Sequence, residues 1–230
     1  MGTKRIADLT ETTTPLETSD MVIETTTGFT LKTKISNLMK RLFSFDDVYD
    51  DYLISINATQ APSGNSKPDL VEFRNGIYSQ VFGVGAQPTE VFFVRHILHD
   101  IKKDSDLTFH VHWANNEATP TGAVKWNIDY TIARGYGVGT FGIPVTVSSV
   151  QTVGAQYVHM ITDDDDMTIN GTGHPEVEPD SIIVGRIWRD TNDIEDTFVG
   201  DAFLLHADVH FTKARVGTKE RNRPFTSGGF

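Results

Sequence analysis

The 230-residue sequence contains no cysteine. Disulfides, thiolate metal sites and cysteine nucleophiles are therefore excluded, and the chain is expected to fold without redox help. Basic residues are also scarce: 20 Lys and Arg stand against 31 Asp and Glu, a formal net charge of −11. A general nucleic-acid binder needs a basic face, so nucleic acid is not an expected partner. No run of about 18 apolar residues occurs, so no membrane span is expected. No apolar leader opens the chain, so no secretion signal is expected either. Two enzyme signatures are missing as well. There is no Gly-x-Ser-x-Gly elbow, and Gly135–Gly139 follows one strand-like run and precedes another, which leaves no helix N-terminus for a phosphate.

What is present reads as a globular chain of short strands. Apolar residues make up 38% and charged residues 22%, an ordinary balance that argues against wholesale disorder. Residues 1–45 read as a small N-terminal anchoring module. Met21–Glu24 and Phe29–Ile35 make a hairpin across Thr25–Gly28, and Ser36 caps a helix over Asn37–Phe43. Its anchoring or interface positions are Ile23, Phe29, Leu31, Ile35, Leu38 and Leu42. So small a unit buries too little surface to stand alone, which calls for copies of itself or a host surface. Residues 46–68 read as a linker holding a short strand, Tyr52–Ile56, and then the loop chemistry of Ala61–Pro68.

Residues 69–212 carry the main domain. Leu70–Phe73 and Ile77–Phe82 flank Asn75-Gly76, a strong hairpin signal because both residues tolerate positive φ. Further strands are expected at Glu90–Leu98, Leu107–Trp113, Val124–Ala133, Ile143–Val150, Gln156–Ile161, Ser181–Arg189 and Ala202–Thr212. With no long helical period among them, the expected fold is all-β, an antiparallel jelly-roll-like β-sandwich. Residues 213–230 form a basic tail in which Lys213, Arg215, Lys219, Arg221 and Arg223 face one acid, Glu220; such a tail is extended and docks on an acidic neighbour, or is disordered.

Two strands carry an unusual face. Alternation puts Phe109, Val111 and Trp113 on one side of the first and His110 and His112 on the other. In Phe203–Phe211 it separates Val209 and Phe211 from His206, Asp208 and His210. His-x-His with Glu117 five residues on superficially resembles a cupin metal motif, and His110, His112 and His210 are the metal-ligand candidates. The glycines of that motif are misplaced, however. The reading adopted is a structural polar seam of His110, His112, Asp208 and His210, with no metal or other cofactor. The acidic run Asp163–Asp166 lacks calcium-loop spacing and reads as a solvated loop. Among Arg186, Arg189, Asp190, Asp193, Asp196 and Asp201, bidentate Arg–Asp pairs fixing a turn are preferred to a paired-carboxylate glycosidase site.

The opening blocks Ile6–Leu9, Ser19–Glu24, Gly28–Lys32 and Ile35–Leu38 resemble the short N-terminal module found at the base of tailed-bacteriophage fibre and appendage proteins. The blocks His99–Lys102, Asp106–Trp113, Val124–Tyr130, Arg186–Asp190, Asp196-Thr197 and Asp208–Phe211 resemble a β-sandwich domain of uncharacterised phage virion proteins. The resemblance implies a non-enzymatic homotrimer without catalytic residues, made in the host bacterial cytoplasm and located in the virion. It would serve as a tail-fibre, collar or head-fibre/decoration subunit, docking on other capsid, collar or tail proteins. The alternatives are a module binding host surface or glycan, or a cupin-like metal protein. Trp113, Trp126 and Trp188 all lie in strands and read as core rather than as sugar platforms.

Overall fold

The structure, a computed structural model, describes residues 20–24, 30–34, 48–54, 61–64, 66–170, 174 and 176–214. The chain divides into two compact units between Ser44 and Phe45. In the first, β1 (Asp20–Glu24) and β2 (Thr30–Lys34) form the expected antiparallel hairpin, with Ile23 opposite Leu31. The expected helix and Phe29, Ile35, Leu38 and Leu42 lie outside the described residues.

The second unit is nearly all strand. Its elements are β3 (Val48–Ile54), β4 (Asp69–Arg74), β5 (Ile77–Phe82), β6 (Thr89–His96), β7 (Leu107–Asn115), β8 (Ala123–Ala133), β9 (Val145–Thr152), β10 (Met160–Ile161), α1 (Asp164–Met167), β11 (Thr168–Ile169), β12 (Ile182–Arg189) and β13 (Ala202–Lys213). One sheet runs β4-β5-β13-β7. In it β5 and β3 share one edge of β13, while β10 and β11 share the outer edge of β7. The other sheet runs β6-β12-β8-β9. From β5 to β8 each strand crosses to the opposite sheet and β9 stays beside β8; the chain then crosses to β10 and β11, which both lie on β7, and crosses again to β12 and to β13. That alternation makes the chain a jelly roll.

Large side chains from both sheets fill the interior. Trp113 and Trp126 are fully buried with ring centroids 6.2 Å apart, and Phe82 meets Trp126 edge-on at 5.1 Å. Tyr52 stacks on Phe211 at 3.8 Å. At the centre of β12, Gly185 leaves room for the Phe93 ring, because a Cβ there would sit 2.6 Å from Phe93 Cζ.

Three expectations change. Residues 48–54 are no linker: β3 pairs with β13 from Ile54↔Ala207 to Val48↔Lys213, and Tyr52 and Ile54 enter the core. Leu53 between them is exposed, and so are Asp50 and Asp51 just before them, which hides the alternation from a reading by composition. β9 begins at Val145, past Pro144, which has no N–H to give a ladder. Of Gln156–Ile161 only Met160 and Ile161 form a strand. Tyr157 turns out of line with φ 60° and packs edge-on to Phe73 at 5.4 Å.

Candidate functional site

β7 and β13 are antiparallel neighbours, with Asp208 opposite His110 and His206 opposite His112. A bulge between Leu204 and His206 shifts the register. It lets Ala202 and Leu204 face the core before it and Ala207, Val209 and Phe211 after it, so His206, Asp208 and His210 all turn outward beside His110 and His112. The inward positions are Phe109, Val111 and Trp113. A cupin-like metal site enclosed between the sheets is thereby excluded: the histidines lie on the outer face of the sheet.

The structure brings together all four expected seam residues. His112 Nε2 lies 3.0 Å from Asp208 Oδ2, and His110 Nδ1 lies 3.2 Å from His210 Nε2. Four residues that sequence reasoning left outside the seam join them. His159 Nε2 meets His112 Nδ1 at 2.9 Å, Asp164 Oδ1 meets His110 Nε2 at 2.6 Å, and Asp51 Oδ1 meets His210 Nε2 at 2.7 Å. His206 Nε2 stands 3.7 Å from Asp208 Oδ2. Of these, His206 was visible on the outward face of its strand, while Asp51 was masked by the linker reading.

The centre of the seam is dry. The His110 and Asp208 side chains are each only 5% exposed. Burial pushes the Asp208 carboxyl up, but the imidazoles of His110 and His112 outweigh it and hold the group far below the usual carboxylate range. Burial likewise lowers His110, and the Asp208 and Asp164 carboxylates reverse this and raise it.

Asp163–Asp166 is not a simple solvated loop. Asp163 caps α1 by accepting from the Asp165 N–H at 3.0 Å, Asp164 holds His110, and Asp166 accepts from Ser149 Oγ at 3.1 Å. An Asp cap followed by acids in the first turn favours this helical turn.

The charged stretch after β12 is the expected clasp. Arg189 Nε and Nη2 hold both Asp196 oxygens at 2.8 and 2.9 Å, and the guanidinium also donates to the carbonyls of Phe82, Phe198 and Gly200. Asp193 and Glu195 are taken up by Lys125. Trp113 and Trp126 are core; Trp188 is half-buried under Arg186. Lys213 belongs to β13 and pairs with Asp50 and Asp100; the tail from 215 lies outside the described residues. Among the described residues, no helix is long and apolar enough to cross a membrane.

No family model and no curated protein matches the sequence. Solved virus structures overlap the fold in part. Against infectious bursal disease virus strain Gx the TM-score is 0.36 at 13% identity, covering 83% of this chain and 36% of the other. For strain Gt the values are 0.32, 13%, 73% and 32%. For the VP2 subviral particle of the same virus they are 0.29, 14%, 74% and 39%. The chain thus spans between 32% and 39% of the length of the chains it overlaps. Overlap this partial fixes neither family nor role, and the jelly roll rests on its own strand order.

Proposed function

We propose that the protein is a non-enzymatic structural subunit of a tailed-phage virion. In this reading it is a homotrimer of the fibre, collar or head-decoration type, docked through its N-terminal unit. The observation that carries it is the outer face of the β6-β12 pair. An exposed sheet face is normally polar. Here Phe92, Val94 and Val184 are 40%, 68% and 38% exposed, with Val94 directly opposite Val184 in the ladder. Ile143, before Pro144, is 91% exposed. Exposed apolar surface on a folded domain marks a place where another surface sits, and in a trimer a different patch of the neighbouring copy covers it, because a three-fold interface is heterologous. The division into a small and a large unit supports the reading, as do the sequence blocks that resemble phage virion domains.

Light scattering of the purified protein and mass spectrometry of phage particles test it together. A trimer that Val94→Lys dissociates without unfolding, and peptides of this chain in purified virions, are the expected results. A monomeric protein absent from virions would sink the proposal.

A further inference from the structure

We propose that His110 Nδ1, His210 Nε2 and Asp208 Oδ1 bind a divalent transition-metal ion of the zinc class, with Asp51 completing the coordination shell. The three atoms are separated by 3.2, 3.5 and 3.7 Å. Ligands held at zinc–nitrogen and zinc–oxygen distances in a tetrahedron lie about 3.3 Å from one another. The spacing in place is therefore close to the spacing required. Asp51 Oδ1 already reaches the same His210 nitrogen at 2.7 Å, and its half-exposed side chain is free to turn into the fourth position.

An independent observation points to a cation at this place. Asp208 Oδ1 is buried and accepts no hydrogen bond. The two histidine nitrogens face it from 3.5 and 3.7 Å, beyond the usual range of about 2.7–3.2 Å. Protonation follows from the neighbours. His110 Nε2 is 2.6 Å from the Asp164 carboxylate, which only accepts, so that nitrogen carries a proton; once a metal ion takes the place of any proton at Nδ1, the lone pair there points at the ion beside Asp208. His210 Nε2 meets the same space. His210 Nε2 is within hydrogen-bond distance of both Asp51 Oδ1 and His110 Nδ1, so a metal ion would displace its proton; Asp208 Oδ1 is the buried acceptor left without a donor, and a cation held by the two imidazole nitrogens and this oxygen satisfies it.

The supporting layer is also built. Asp164 on His110 reproduces the carboxylate–histidine–metal arrangement that fixes tautomer and ring orientation. His112 Nε2, 3.0 Å from Asp208 Oδ2, holds the other carboxylate oxygen and so aims Oδ1 at the site; His159 steadies His112 in turn. Two imidazoles and carboxylates, with no thiolate, suit zinc, cobalt or nickel rather than a softer ion. Access runs through His210, which is 34% exposed and lines a groove of roughly 1000 Å³ open to solvent. Because the ligands come from β3, β7 and β13, the ion fastens three strands of one sheet. The site stands independently of the virion role.

The experiment uses untagged full-length protein stripped with a chelator, titrated with Co²⁺ and Zn²⁺ by calorimetry, with visible spectra of the Co²⁺ form. One ion per chain, the intense visible bands of tetrahedral Co²⁺ and a higher melting temperature with Zn²⁺ are expected. His210→Gln, at a partly exposed position outside the core, is expected to abolish all three. Asp164→Asn should weaken affinity about 10–100-fold. His96→Gln, in the separate group around Asp180, should leave binding unchanged. Should Asp208→Asn fail to fold by circular dichroism, His210→Gln decides alone. No stoichiometric binding by the stripped protein, or undiminished binding by folded His210→Gln, overturns the proposal.

Discussion

Arg189 and Asp208 are both buried charges at strand positions of the same jelly roll, and they are satisfied in opposite ways. Arg189 uses every N–H of its guanidinium in five hydrogen bonds, two to Asp196 and three to backbone carbonyls. Nothing is left over for a ligand, so the clasp is purely a fastener for the Asp190–Gly200 loop. Asp208 has one oxygen held by His112 and one that accepts nothing, with the nearest histidine nitrogens 3.5 and 3.7 Å away. A saturated buried charge rigidifies; an unsaturated one keeps a capacity for chemistry.

The sharpest way to break this comparison is Asp196→Ala, which leaves Arg189 buried without its counter-charge. A loss of about 3–5 kcal/mol in denaturant unfolding is expected; a loss near zero would show that the loop relaxes and that the clasp is not a fastener. The double substitution His110→Ala with His112→Ala removes the two imidazoles nearest Asp208, at 3.5 and 3.0 Å. It should cost about 1–3 kcal/mol or disrupt assembly, and a chain left stable and assembled but deprived of some activity would contradict the structural seam.

A third arrangement lies between the two. On the outer face of the second sheet, half-exposed Arg186 bridges Asp129 at 2.7 Å and Glu90 at 2.5 Å. Burial raises the Asp129 carboxyl, but hydrogen bonds from Thr146 and Arg186 outweigh it and bring the group below its ordinary value of 3.8. A depressed carboxylate stabilises the fold fully above its unfolded pKa and loses that contribution as pH falls through the folded one. Unfolding free energy should therefore fall on acidification from about pH 4 downward, and Asp129→Asn should flatten that slope. An unchanged slope in the variant would remove Asp129 from the ledger. The smallest effect is expected from Lys125→Met at the rim, where the pairs to Asp193 and Glu195 contribute about 0–1 kcal/mol and fade with salt.

Much of this was legible in the residues themselves. Period-2 alternation located the outward histidines, Asn75-Gly76 located a hairpin, and the arginines near Asp196 announced a clasp. What escaped detection depends on distant pairing. Tyr52 and Ile54 point into the core because β13 lies alongside, and the local signal showed a short strand at Tyr52–Ile56 without showing its partner. The bulge at Leu204/His206 also escaped notice, although it alone reconciles an apolar Ala202–Leu204 face with an outward His206–His210 face. Asp164 reaches His110 through α1, a turn that the reading of Asp163–Asp166 as a solvated loop did not expect.

The central place of β13 has a consequence for how the protein is made. β3, β5 and β7 are synthesised long before the strand on which all three pair. Loop closure over such separations is slow, and edges waiting for a partner invite the wrong one. A nascent chain halted before Ala202 would expose the unfilled edges of three strands, so the second half of biosynthesis is when this protein most needs a chaperone.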